Sequence, residues 1–144
     1  MKVSTMLASK AGHVITVRSD ETVRAAVGSL IEHDIGALVV VDKTDVPIGI
    51  ITERHIVRRI PGDADLLTRP VGEVMTCDVI VGSPQDDLVS VVTTMTEKRI
   101  RHLPVIAHGR LVGIISLGDI LKAQRDTYRG QAETLETQIL GPGP

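Results

Sequence analysis

In the run Gly113-Ile-Ile-Ser116-Leu-Gly-Asp119, a hydroxyl and a carboxylate stand three residues apart, just after a β-branched stretch. If a strand turns into a helix at Ser116, its hydroxyl lies beside the free first-turn N–H groups. Such a junction can cradle a phosphate. Asp119 then falls within the first turn. Its ionised carboxylate can accept from two vicinal hydroxyls, as in a ribose diol, at about 1.5–3 kcal/mol per charged hydrogen bond. Gly113 would let a ligand come close to the backbone. The same Ser-x-x-Asp spacing is also that of a helix capping box, with Asp119 reaching back to the Ser116 amide. Both readings can hold, because a capping pair can release its contacts to a ligand.

A weaker echo stands earlier in the chain, where Gly49 and Thr52 are followed by His55 in place of the acid. Other chemistries fare worse. The five histidines show no HExxH spacing and no companion thiols or carboxylates, so no metal site is expected. The run from Gly113 to Gly118 is G-x-x-S-x-G, which is not the G-x-S-x-G of a nucleophile elbow. There is no P-loop and no GxGxxG. Cys77 is the only cysteine, which rules out an internal disulfide, and it reads as a small apolar filler. No enzyme activity is expected.

The chain has 144 residues, is 42% hydrophobic and 24% charged, and has a formal net charge of −2. That balance lacks the basic footprint of a nucleic-acid binder, and a single Tyr with no Phe or Trp offers almost no base-stacking surface. The longest apolar runs, such as residues 37–41, are too short to cross a bilayer. The first residues show no secretory pattern, so a cytoplasmic location and no membrane partner are expected.

The elements that must position Ser116 and Asp119 occur twice. Placing Val14 over Val79, an offset of 65, brings Val23 over Leu88, Val27 over Val92, Leu30 over Met95 and Ile35 over Ile100. The first three pairs follow the spacing of one helical face. Ser19 or Asp20 can cap this helix in the first copy, with Pro84 ahead of it in the second. Two β-branched runs joined by a turn follow, 37–41 with 48–51 and 103–106 with 111–115, then a helix near Thr52 or Ser116. Each copy opens with a short helix (3–9 and 71–75) and a strand (14–17 and 79–81). The predicted class is α/β (α+β), with two α-β-α-β-β-α repeats packed through their small sheets. Residues 1–62 form the first repeat, 70–124 the second, and 125–144 a helical tail. Residues 61–70 read as a linker, and Leu121, Tyr128 and Leu135 line one side of the tail.

With VGEVMT, RIRHLPVI and LVGIISLGDI in the second copy, and HDIGALVVVD and PIGIITERHI in the first, the sequence resembles the CBS family. It is similar specifically to stand-alone bacterial-type tandem pairs, or Bateman modules. The resemblance implies a disc of two repeats with two clefts that bind an adenine nucleotide (AMP, ADP, ATP or NAD type) for regulation. Its ligand motif, Gly-h-x-h-Ser/Thr-x-x-Asp with h apolar, falls on Gly113, Ser116 and Asp119. It also implies an adenine-reading strand at Val14 and Ile15, with His13 nearby. Lys10, Arg101 and His102 would lie toward the phosphates. Thr52, Val79 and Ile80 would form a second, weaker cleft that lacks the acid at His55.

The expected function is therefore a regulatory nucleotide sensor acting as a homodimer, with any effector protein reached in trans. The alternative is a dimeric scaffold with vestigial clefts, and a nucleotide-processing enzyme ranks below both. The dimer follows from apolar helix faces and the Leu121/Tyr128/Leu135 stripe, which one chain cannot cover alone. Light scattering at micromolar concentration should return twice the monomer mass; a monomeric mass would overturn the expectation.

Overall fold

A computed structural model describes residues 1–10, 14–127 and 141. The element order is α1 (Val3–Ser9), β1 (Thr16–Arg18), α2 (Val23–His33), β2 (Ala37–Val41), β3 (Pro47–Thr52) and α3 (Glu53–Arg59). After three short 3-10 turns come α4 (Leu88–Lys98), β4 (His102–Ala107), β5 (Arg110–Ser116) and α5 (Leu117–Thr127). Tyr128, Leu135 and the rest of the expected tail lie outside the described residues, as does His13.

The first sheet has the order β1-β2-β3, with β1 parallel to β2 and β2 antiparallel to β3. β2 is buried along its whole length, as a central strand of continuous apolar residues should be. The second sheet is the antiparallel pair β4-β5. The strand expected at 79–81 is not formed. Among the described residues the chain here pairs with β4 at Gly82 alone, whose N–H donates to the Pro104 carbonyl and whose carbonyl accepts from the Ile106 N–H. A Cβ at Gly82 would stand 2.7 Å from Leu103 Cδ2, so glycine permits this single close approach. The chain then turns away, with Asp86 Oδ2 accepting from the Ser83 N–H just before Pro84.

The paired central helices follow the predicted periodicity with a slight rotation. Val23, Ala26 and Leu30 are buried in α2, and Leu88, Val91 and Met95 in α4, while Val27 and Val92 are half-buried at the edge of each core. The N-caps sit closer to the helices than expected. Thr22 accepts from the Ala25 N–H, and Asp87 accepts from the Val89 N–H. Both helices end at a left-handed residue, Asp34 and Arg99, so the repeat extends to backbone detail.

The cores do not follow the sequence repeats. Val3 and Met6 of α1 pack with Leu88, Val91, Leu103 and Ile115 in the second core. In return, Leu66, Val71 and Val74 pack with Val17, Val23, Leu38 and Ile51 in the first. Matching backbone bonds fix both insertions: Val3 N–H to Asp86 O at 2.9 Å, and Val71 N–H to Glu21 O at 2.8 Å. Residues 71–75 therefore form a 3-10 turn at Val71–Glu73 in place of the expected helix. Segment 61–70 is correspondingly no loose tether: Leu66 is buried, Arg69 forks onto Asp63, and the Arg69 carbonyl accepts from the Val23 N–H. Cys77, expected as a filler, is exposed.

This exchange makes a specific prediction. Met6→Ala should cost about 2–5 kcal/mol, as for other buried large-to-small changes. The loss should appear as one urea transition at a lower midpoint, because α1 ties the second core to the first half of the chain. Two separated transitions would show that the halves unfold independently.

Candidate functional site

β5 ends at Ser116 and α5 starts at Leu117, so the hydroxyl stands at the strand-to-helix junction. Ser116 and Asp119 bind one another reciprocally. The Asp119 N–H donates to Ser116 Oγ at 3.0 Å, and the Ser116 N–H donates to Asp119 Oδ2 at 2.9 Å. The capping box is thus formed. Lys10, just past the end of α1, adds its ammonium to the same carboxylate. Lys10 Nζ donates to Asp119 Oδ2 at 2.7 Å and to the Ile114 carbonyl at 2.6 Å. Burial alone would raise the Asp119 pKa. The Lys10 ammonium and the Ser116 amide outweigh it and hold the carboxyl below its ordinary value. Asp119 is an anion at neutral pH.

Lys10, Val14, Gly113 and Ile114 line a cavity of about 900 Å³, together with Thr44 and Asp45 of one hairpin turn and His108 and Gly109 of the other. This lies within the size of small-molecule sites, about 300–1,000 Å³. Of the residues expected in this cleft, Lys10 and Val14 face the cavity, and Ser116 and Asp119 adjoin it through Lys10. Ile15 packs against the first core. The backbone approach expected at Gly113 is already in use. A Cβ there would stand 2.6 Å from Leu7 Cδ2, so glycine makes room for α1.

The Thr52 end is built to the same plan with different groups. Thr52 Oγ1 accepts from the His55 N–H at 3.2 Å. Thr76 lies where Lys10 lies in the other cleft, exchanging two backbone bonds with Ile50 and placing its hydroxyl 3.4 Å from His55 Nε2. His55 Nδ1 is buried and has no hydrogen-bond partner among the described residues. Burial lowers the His55 pKa, with Arg54 and Arg58 adding to the effect, so the ring is neutral at pH 7. Thr52, Val79 and Ile80 come together as expected, around a cavity of about 180 Å³. A second space of about 260 Å³ beside Gly49 and Val79 corresponds to the large cavity.

The structure groups Arg101 and His102 differently from the sequence reading. Both line the small cavity with Thr52 and His55. They reach α5 by other means: the Arg101 carbonyl accepts from the Leu117 N–H, and His102 pairs with Ser116 across the β4–β5 ladder. β4 is shared by both clefts, so adjacency in sequence to the Ser116 strand does not decide which cavity its first residues face. Burial lowers the His102 pKa; Glu53 and Asp119 oppose this, and Lys10 and Arg101 add to it. Sequence reasoning missed Thr76, Glu53 and Arg99. Glu53 and Arg99 line the small cavity, and Thr76 both lines it and takes the place of Lys10. The MT pair at 75–76 was the available signal for Thr76, since it opens the second copy just where the first carries its extra residues.

An ionised carboxylate beside a hydroxyl and an ammonium, at the start of a helix, can recognise vicinal hydroxyls and an attached anion. Among the described residues no group of three His, Cys, Asp or Glu side chains could hold a metal ion, and no helix is long and apolar enough to cross a membrane.

Comparison with known proteins agrees with this plan. The CBS domain family matches residues 7–62 and again residues 71–126. The mitochondrial CBS domain-containing protein CBSX3 of Arabidopsis thaliana is 36% identical over 129 residues, covering 85% of this chain but only 62% of that protein. The crystal structure of the CBS-domain containing protein ATU1752 from Agrobacterium tumefaciens is 40% identical, with a TM-score of 0.82 over 85% of this chain and 92% of that one. The CBS domain pair of protein MJ0100, solved in complex with 5′-methylthioadenosine and S-adenosyl-L-methionine, is 26% identical with a TM-score of 0.79. It covers 88% of this chain and 98% of that one. Two interlocked copies of one motif, matched in sequence and in fold, place this chain in the CBS domain family as a tandem pair.

Proposed function

We propose that the chain is a regulatory module that binds an adenine nucleotide of the AMP, ADP, ATP or NAD type in the cleft closed by Ser116 and Asp119. It carries out no chemistry on the ligand and passes the signal on as a homodimer or to a partner in trans. The observation that carries this reading is the anionic Asp119, fixed in a capping box beside a cavity of nucleotide size. The adenosine-containing ligands held by the MJ0100 pair support the choice of ligand class. A bound ligand shifts the module only as far as its affinities for the two states differ. The cleft whose affinity differs more between the two states therefore sets the response.

The two clefts are unequal on this reading. Neutral His55 has one acceptor nitrogen at most and cannot grip both hydroxyls of a diol, and the space beside it is small. Replacing Asp119 removes two charged hydrogen bonds, enough for a loss of about tenfold or more in affinity even after allowing for solvent. Calorimetric titration with AMP or ATP should show this for Asp119→Ala and for Asp119→Asn, which keeps an oxygen for the cap. Full binding by both variants, or two equal sites in the parent, would reject the assignment.

His55→Ala should leave the titration unchanged. His55→Asp should strengthen the first cleft, since Thr52 already supplies the hydroxyl at the helix start. A second binding step in that variant checks it, and its absence would show that cavity size limits this cleft.

A further inference from the structure

The two clefts correspond through their glycine contacts and the repeat register, and the comparison isolates Lys10. The space a Cβ at Gly113 would need is filled by Leu7, and the same space at Gly49 is filled by Met75. Leu7 therefore corresponds to Met75, while Val14 corresponds to Val79 from the repeat. Between these anchors the second copy has residues 76–78 and the first has residues 8–13. Lys10 belongs to that extension and has no counterpart lysine. Where Thr76 closes the first cleft with two backbone bonds to Ile50, Lys10 closes the other with its side chain, on the Ile114 carbonyl and Asp119.

We infer that Lys10 makes the Asp119 cleft select phosphorylated adenosine ligands over uncharged adenosine, by holding the carboxylate until an anion draws it away. The inference rests on the adenosine reading of this cleft. Asp119 Oδ2 already accepts from the Ser116 amide at 2.9 Å and from Lys10 at 2.7 Å. A diol that grips both carboxylate oxygens meets one that is filled, and Lys10 is the donor free to leave. Its ammonium sits on a flexible stem and lines the large cavity, whereas the Ser116 amide is fixed in the backbone. An uncharged nucleoside that displaces Lys10 leaves the ammonium with the Ile114 carbonyl and water in place of its charged partner. A phosphate on the same ligand restores a charge-assisted bond of similar strength. The energetic cost of opening the site is thus recovered by anionic ligands alone. The other cleft, closed by a neutral Thr76–His55 contact, has no such requirement.

The experiment titrates the full chain with adenosine and with AMP, comparing the parent with Lys10→Met, Lys10→Gln and Lys10→Arg. The parent should prefer AMP by about tenfold, one charged hydrogen bond's worth. Lys10→Met and Lys10→Gln should bind adenosine more tightly than the parent and AMP more weakly, bringing the preference below about threefold. Lys10→Arg should keep it. Loss of a merely structural contact would weaken both ligands together and leave their ratio intact, and that outcome overturns the role of Lys10. A parent that binds both ligands equally overturns it as well. A parent that binds neither rejects the adenosine reading itself, and the inference with it.

Discussion

The exchange of opening segments between the two cores is the constraint on which the rest of the molecule depends. Val3 and Val71 are each fully buried, and each lies in the core built by the other half of the sequence. A repeat of roughly 60 residues buries too little surface to stand securely alone. Here each half completes the other, and the hydrogen bonds that seat α1 on Asp86 and Val71 on Glu21 set the depth of the insertion. The same exchange places the chain after α1 against the β5–α5 junction. Lys10 meets Asp119 across more than a hundred residues of sequence because Val3 and Met6 are held in the second core.

From that one arrangement come two clefts of the same design and different chemistry. Both have a hydroxyl capping a helix after a strand, a glycine making room for an opening-segment side chain, and a residue that closes the junction. In one cleft the closing pair is Lys10 with Asp119, charged and tightly bonded. In the other it is Thr76 with His55, neutral and longer. The shared strand β4 places His102 beside Glu53, at the start of α3, and within the field of Asp119. Any ligand that neutralises Asp119 therefore changes the electrostatic environment of the cavity on the Thr52 side.

Much of this was legible in the sequence because it is periodic. The aligned Val23/Leu88 and Leu30/Met95 pairs identified the core helices, and the Gly-h-x-h-Ser/Thr pattern located both strand-to-helix junctions. What was not legible depends on contacts distant in sequence. No local pattern says that 71–75 must wind tightly to fit a core already holding Val17 and Leu38, or that 79–81 stays unpaired and the sheet bonds fall on Gly82. The face presented by Arg101 and His102 depends on how β4 lies between two clefts. The pairing of Lys10 with Asp119 needs the exchange itself, which a repeat alignment passes over because it assigns each opening segment to its own copy.

The exchange also bears on how such a chain could be assembled from smaller parts. A single copy carries an opening segment that it cannot use and a core groove that it cannot fill. Two identical copies would satisfy one another by a symmetric swap, at the entropic cost of bringing two molecules together. Joining them by the packed 61–70 segment turns that bimolecular step into an intramolecular one. Covalent fusion then lets the two copies differ: once every molecule contains one of each, one cleft can carry Asp119 and the other His55.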